Sequence, residues 1–386
     1  MKKMRLFRRK IARVSATEVT MEFYKVPESI NFMRTIDFKQ CLKEHELDPM
    51  AEIPLPKPED LECPEDFDPA RDCYLGVDIG GTFIKAGLFD RDGKMIASGK
   101  CPTGVEMGAD RILYNIIWIT HYLVADVSGR MGWNVRGIGI GCPGMIESAT
   151  SKVIYANNLG WENFDLYPAL RYWYPYAKIR VGNDANVAAL GEVKYGAAKG
   201  KKSAIMITLG TGVGGGIILD GKIVEGERGA GAELGHSVIV HGGEPCTCGR
   251  RGCFEAYSSA SALIRDTKRA MEAHPDSKMW EIGSTDAVDG KTVFDYAPVD
   301  VYAKEVLDSY IEHLACGLIN YANIFRPEVI ILGGGVCAQG DNLIVPLQKI
   351  LDREIYAGEK GPRVPIRVAE LENDAGMLGG LALVFD

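Results

Sequence analysis

One imidazole and three thiols stand close together in this sequence, at His236, Cys246, Cys248 and Cys253. They form the ligand set of a closed tetrahedral zinc site, and glycines at 249 and 252 permit the tight knuckle that turns three sulfurs inward. With all four positions filled by protein, such a metal is structural and does not activate water. A redox role for Cys246-Thr247-Cys248 is the competing chemistry, and reduced thiols without a metal are the plain alternative. Glu233 stands three residues before His236 and Glu255 two after Cys253, so a metal there would hold two carboxylates near one another. Paired carboxylates suit a ligand with several vicinal hydroxyls, each a donor. Spacing alone leaves them equally readable as surface acids beside a knuckle.

Two glycine-rich segments point to phosphate. Gly76-Val77-Asp78-Ile79-Gly80-Gly81-Thr82 runs from an apolar stretch into glycines whose backbone N–H groups can form an anion nest. Thr82 can donate a hydroxyl, Lys85 can add positive charge, and Asp78 can hold Mg²⁺ through water. A bare hairpin turn with a solvated Asp is the alternative, and a surface role for Lys85 is equally open. The second segment, Ile207–Gly216, has five glycines among positions 210–216. Each costs conformational entropy, so stability does not explain them, and Thr211 and Gly212 are the expected phosphate contacts. Gly333-Gly334-Gly335 follows the apolar run Val329–Leu332. Gly334 and Gly335 there either face the adenine and ribose of a nucleotide or form a close-packing turn. In Val181-Gly182-Asn183-Asp184-Ala185-Asn186, Asp184 opens a helix and is either its N-cap or a base that orients an attacking hydroxyl. Asn183 would then bond a neighbouring hydroxyl.

The elements that must carry these residues repeat. Strands expected over Tyr74–Ile79 and Phe83–Phe89 make a glycine-tipped hairpin, with a third strand over Lys94–Ser98. Apolar residues at 112, 113, 116, 117, 119, 123 and 124 predict a helix across Asp110–Arg130. Strands follow at Val135–Ile140 and Ile179–Gly182, then a helix from Ala185 to about Lys194. The pattern restarts with strands Ser203–Leu209 and Gly214–Leu219. After these come a helix over Val301–Phe325, a strand at Val329–Leu332, a helix near Asn342–Leu351, a strand at Ile366–Val368 and a terminal helix from about Ala375. Two glycine-tipped hairpins at matching places predict a duplicated α/β domain with a cleft between its halves.

At 386 residues the chain suits two cores, and 46% hydrophobic with 25% charged residues suits a globular protein. A net charge of −8 argues against nucleic-acid binding over most of the chain. No apolar run reaches the ~20 residues that cross a bilayer, and no apolar core follows the basic start, so a secretory signal and a membrane partner are not expected. A cytoplasmic enzyme with reduced cysteines is. The first 72 residues differ from the rest: seven basic and no acidic residues in positions 1–13, then eleven acidic against two basic from Glu44 to Asp72. With six prolines between positions 49 and 69, that acidic stretch reads as an extended linker, and Val14–Leu47 as room for a short helix or strand.

Taken in order, GVDIGGTFIKAGLFD, Cys142-Pro143-Gly144, Asn157-Asn158-Leu159-Gly160-Trp161, GNDANVAALGE, TLGTGVGGGI, GAGAELGH and CTCGRRGCFEAY resemble the ROK family of sugar kinases and sugar-responsive repressors. The resemblance runs from about Cys73 to the C-terminus. It implies a duplicated ribonuclease H-like fold (actin/hexokinase-like), with residues 1–72 as an extension, 73–183 as one α/β lobe and 184–386 as the other, the terminal helix packing back on the first. It implies lobes that close on sugar, with Asp184 as the base toward the 6-hydroxyl of a hexose and Mg-ATP as donor. Gly144, Asn158, Asn183, Glu233, His236 and Glu255 match sugar-contacting positions, and His236, Cys246, Cys248 and Cys253 match the family's Zn²⁺ ligands. Within the family glucokinases look most similar, since both Glu233 and Glu255 are present. Kinases for N-acetylmannosamine, N-acetylglucosamine or fructose and the repressors share most of the motifs. A homo-oligomer, dimer or tetramer, is also expected. The repressors carry an N-terminal helix–turn–helix module, and residues 1–72 show no such pattern.

Overall fold

The computed structural model describes residues 20–21, 36–37, 72–131 and 134–385. They form two compact units, one of the residues up to Ala188 together with those from Gly376, the other of Ala189–Ala375.

The first unit begins with β1 (Asp72–Ile79), β2 (Phe83–Phe89) and β3 (Met95–Pro102), followed by α1 (Ala109–Met131) and β4 (Asn134–Cys142). A small antiparallel sheet of β5 (Met145–Glu147), β6 (Lys152–Ala156) and β7 (Trp161–Asp165) comes next, then α2 (Tyr167–Trp173), β8 (Lys178–Asn183) and α3 (Asp184–Lys194). The main sheet has the order β8-β4-β1-β2-β3. β8, β4 and β1 run parallel, while β2 and β3 return antiparallel. β1 lies at the centre, which is why its sequence is an almost unbroken apolar run rather than an alternation. The core around it joins Leu75, Val77, Ile138 and Ile140 to Ile112 and Ile116 of α1.

The second unit repeats this plan with β9 (Ala204–Leu209), β10 (Val213–Leu219) and β11 (Lys222–Ile223). It continues through α4 (Ala260–Ala273), α5 (Val301–Phe325), β12 (Val329–Gly333), α6 (Asp341–Glu354) and β13 (Ile366–Val368). The sheet order β11-β10-β9-β12-β13 matches that of the first unit, antiparallel through the hairpin and parallel at β9, β12 and β13. Asp300 caps α5 by accepting from Ala303 N at 2.8 Å, and Ser259 caps α4 by accepting from Ala262 N at 3.0 Å. A separate core lies here, with Ile205, Ile207 and Ile330 packed with Leu314 and Leu318 of α5.

The chain leaves the first unit within α3 and returns at the start of α7 (Ala375–Phe385). Helix α7 sits so close on the first sheet that backbone meets backbone. A Cβ on Gly139 would lie 1.7 Å from the Gly380 carbonyl oxygen, and one on Gly76 would lie 1.9 Å from that of Met377. Neither atom belongs to a side chain that could swing aside. Gly139→Ala should therefore cost about 3 kcal/mol of unfolding free energy. An unchanged denaturation midpoint would refute this account of the contact.

Both glycine-tipped hairpins and their following strands lie where sequence patterning expects them. β3 runs on to Pro102 because Phe83 of β2 still pairs with Pro102. Sequence patterning does not announce the β5–β7 sheet, whose strands are short and carry exposed polar residues, nor α2 and α4. Thr20–Met21 and Ile36–Asp37 pair as two short antiparallel strands inside Val14–Leu47. The linker expected from Glu44 onward lies outside the described residues except for Asp72. Among the described residues no helix is long and apolar enough to cross a membrane.

Candidate active site

In the first unit the candidate residues gather at the carboxyl ends of the parallel strands. Asp78 of β1 pairs in register with Lys85 of β2 on one side and with Gly141 of β4 on the other. A Cβ on Gly141 would lie 3.6 Å from the Cα of Asp184, so Asp184 stands beside the same strand end. The carboxyl of Asp78 packs on the first turn of α7, where a Cβ on Gly376 would lie 2.4 Å from its Cγ. Burial pushes the Asp78 carboxyl up to about 6, with Lys85 opposing the rise and the Asp184 carboxylate adding to it. Asp184 is also held above the ordinary carboxyl value, chiefly by burial, against hydrogen bonds from the N–H groups of Ala185 and of Asp184 itself.

Two residues share the start of α3, and their duties differ. Asn183 Oδ1 accepts from the N–H groups of Ala185 and Asn186, each at 3.1 Å, and so caps the helix. The Asp184 carboxylate instead meets its own N–H and that of its neighbour Ala185, the latter at 2.8 Å, while the Asn186 N–H goes to Asn183. The structure thus assigns the cap to Asn183. The other end of the Asn183 amide donates to the Gly144 carbonyl at 3.0 Å, linking β8 to the turn after β4. Gly144 has a φ of 102°, and a Cβ there would lie 2.2 Å from the Tyr155 carbonyl oxygen, so glycine is required on both counts. Asn158 is exposed in the turn Asn157–Leu159 between β6 and β7.

Gly80, Gly81 and Thr82 form the β1–β2 turn, closed by Gly80 N donating to the Phe83 carbonyl at 2.9 Å. Gly81 and Thr82 are exposed, and no atom stands within 4 Å of where a Gly81 Cβ would be. The turn therefore presents its backbone outward.

In the second unit Glu255 is the hub. Its Oε2 accepts from Val213 N at 3.0 Å, and its Oε1 accepts from Thr247 Oγ1 at 3.0 Å and from Cys246 Sγ at 3.5 Å. One carboxylate thereby ties the β9–β10 turn, Gly210-Thr211-Gly212, to the cysteine segment. Gly212 must be glycine for this, since a Cβ would lie 2.4 Å from Glu255 Oε2. The ligating atoms of His236, Cys246, Cys248 and Cys253 all lie within 4.8 Å of one another, a set able to hold a metal ion. Cys246 Sγ is 3.6 Å from His236 Nδ1, and the sulfurs of Cys248 and Cys253 are 3.7 Å apart. Gly249 and Gly252 have φ of 88° and 82°, which lets the segment fold back on itself. His236 ends the turn Leu234–His236, which Tyr321 of α5 anchors by donating to the Leu234 carbonyl at 2.5 Å. Glu233 is exposed just before that turn. Gly334 is a close-packing residue, with φ 94° and a would-be Cβ 2.3 Å from the Leu209 carbonyl oxygen, whereas Gly335 faces open space.

Sequence spacing missed three features. The first is the double duty of Glu255, which bonds the second glycine turn from 42 residues away. The second is Glu192, fully buried, whose carboxylate accepts from Ala197 N, Glu370 N and Leu371 N. The third is Thr103, behind the first turn. None has a local signature, because each has partners distant in the chain, as Glu192 has in Glu370 and Leu371.

The sequence profile of the ROK family matches residues 74–386. A protein named glucokinase from Halalkalibacterium halodurans is 39% identical over 320 residues, which cover 81% of this chain and 94% of that relative. Among solved structures, a ROK family glucokinase from Streptomyces griseus, in complex with glucose and AMPPNP, aligns with a TM-score of 0.64 at 34% identity, covering 80% of this chain and 97% of that one. A ROK hexokinase from Thermus thermophilus aligns with a TM-score of 0.68 at 31% identity, covering 81% and 97%. A profile match over residues 74–386 and a relative 39% identical over most of both chains place the chain in the ROK family.

Proposed function

We propose that the chain is an ATP-dependent hexose kinase that phosphorylates the 6-hydroxyl of glucose, with Asp184 as the general base. The observation that carries this reading is the division of labour at the start of α3. Asn183 takes the cap, which leaves the Asp184 carboxylate for chemistry at a strand end beside a phosphate-type turn. Its raised carboxyl suits a proton acceptor, since a base works best when its pKa approaches the working pH. In the step itself the sugar oxygen attacks the γ-phosphorus of ATP, the bond to the β-phosphate oxygen breaks, and the hydroxyl proton passes to Asp184. In the first unit Gly81 and Thr82 are the phosphate contacts, on a turn that Gly80 shapes; in the second unit Thr211 and Gly212 are, with Gly335 toward the nucleoside. Lys85 adds positive charge. Magnesium bound with ATP would neutralise phosphate charge, and Asp78 would hold it through water.

In the first unit Asn158 and Asn183 are assigned to sugar hydroxyls, with the Gly144 turn beside Asn183, and in the second unit Glu233, His236 and Glu255 are. The second unit's cysteine cluster would hold a structural Zn²⁺ that fixes His236 in place beside Glu255. At tetrahedral angles, bonds of ~2.3 Å to sulfur and ~2.05 Å to nitrogen separate two sulfurs by ~3.8 Å and sulfur from nitrogen by ~3.6 Å. The separations of 3.7 Å between Cys248 and Cys253 and 3.6 Å between Cys246 and His236 support zinc on those grounds. His236 would hold the ion through Nδ1, the nitrogen beside Cys246 Sγ, leaving its second ring nitrogen for sugar.

The deciding assay measures phosphorylation of glucose, mannose, fructose, N-acetylglucosamine and N-acetylmannosamine, with ATP and with polyphosphate as donors. Glucose with ATP should give the highest kcat/KM. An N-acetyl amino sugar in first place would overturn the glucose assignment, and no phosphorylation of any sugar would overturn the kinase.

A further inference from the structure

Thr103 follows β3, in neither glycine turn, and is fully buried. Its Oγ1 donates to the Gly80 carbonyl at 2.6 Å, and its N–H donates to the Thr82 carbonyl at 2.8 Å. One residue therefore holds two of the three carbonyls of the first glycine turn from behind. It is itself held by Asn115 of α1, also buried, whose Nδ2 donates to the carbonyls of Pro102 at 2.9 Å and Thr103 at 3.4 Å. A planar trans peptide points its C=O and N–H in opposite directions. Drawing the Gly80 carbonyl inward to Thr103 thus turns the Gly81 N–H outward, in a turn where Gly81 is exposed and a Cβ on it would meet nothing within 4 Å. Glycine at 80 and 81 gives the turn freedom that something else must remove if its N–H groups are to be aimed before ligand arrives.

We propose that Thr103, backed by Asn115, is a positioning residue that aims the Gly81 N–H at a phosphate oxygen of the nucleotide. The inference rests on the reading of Gly80–Thr82 as a phosphate turn. Thr103 touches no substrate and acts through the two peptide groups it holds. Its hydroxyl is the part that matters, because the N–H bond to Thr82 survives any substitution except proline.

Thr103→Val keeps shape and volume while removing the donor to Gly80, and Thr103→Ser keeps the donor. The valine variant should raise KM for MgATP and Kd for MgADP about tenfold, the worth of one hydrogen bond. Its KM for sugar and its inhibition by adenosine, which has no phosphate, should stay within twofold of the unsubstituted chain. The serine variant should restore nucleotide affinity. Should the valine protein prove insoluble, Thr103→Ala makes the same comparison with serine. MgADP affinity unchanged in the variant without the hydroxyl overturns the inference, as does a serine variant equally impaired, since that would be a packing effect. An unsubstituted chain that binds neither MgATP nor MgADP overturns the phosphate-turn reading itself and this inference with it.

Discussion

Asp184→Asn should lower kcat by 10²–10⁴-fold, the usual worth of a positioned proton acceptor, while sugar binding persists. The substitution keeps size and a hydrogen-bond acceptor for the Ala185 N–H, and the cap is untouched because Asn183 supplies it. Steady-state kinetics beside calorimetric titration of glucose separate the two effects. Near-normal turnover in the variant would remove Asp184 from the proton-accepting role. Two pH signatures should accompany the loss. Burial raises the Asp184 carboxyl, and a base works only when deprotonated, so turnover should fall as pH drops through that raised pKa. Stability runs the other way. A group raised in the folded state binds its proton more readily there than in the unfolded chain. Its contribution is therefore present below the ordinary carboxyl value and is lost as pH rises through the raised one. At neutral pH Asp184→Asn should therefore melt above the unsubstituted chain, and the two melting curves should converge in acid. A catalytic defect caused by misfolding would show the reverse.

Cys253→Ser should release the metal, taking zinc from about one per chain to none by elemental analysis, and weaken sugar affinity at least about tenfold. Cys253 is fully buried and pairs with Val238 across a short bridge, so its sulfur sits on the inner side of the knuckle. The cysteine segment meets His236 and Glu255 at Cys246, whose sulfur lies 3.6 Å from His236 Nδ1, and at Thr247, whose hydroxyl donates to Glu255 Oε1 at 3.0 Å. Without a metal, His236 and its neighbour Glu255, both assigned to sugar, would lose the positions that a bound ion would fix. Since Glu255 also holds Val213 N, a smaller rise in KM for ATP should follow. A preparation of the unsubstituted chain that carries no zinc under reducing, chelator-free purification would refute the structural-metal assignment.

How much of this was readable beforehand depends on how local each feature is. Glycine turns between apolar strands were legible because backbone freedom and burial pattern are properties of a few consecutive residues. The cysteine cluster was legible because its members lie within eight positions of one another, with His236 ten residues before the first. The exchange of roles between Asn183 and Asp184 was not. Both residue types cap helices, and only the backbone at the end of β8 decides which oxygen meets the free N–H groups.

By itself, then, the sequence determined the two glycine-tipped hairpins, the repeat that makes two α/β units, the His/Cys₃ ligand set and the carboxylate at the start of α3. Each depends on residue type and short spacing. Tertiary structure alone decided what joins them. It brought Thr103 behind Gly80, 23 residues away, and Glu255 against Val213, 42 residues away. It also laid the glycines of α7 on Gly76 and Gly139. Those partners are chosen by strand pairing and by the close approach of backbones. Such choices minimise the energy of the whole fold and leave no mark in any short window of sequence.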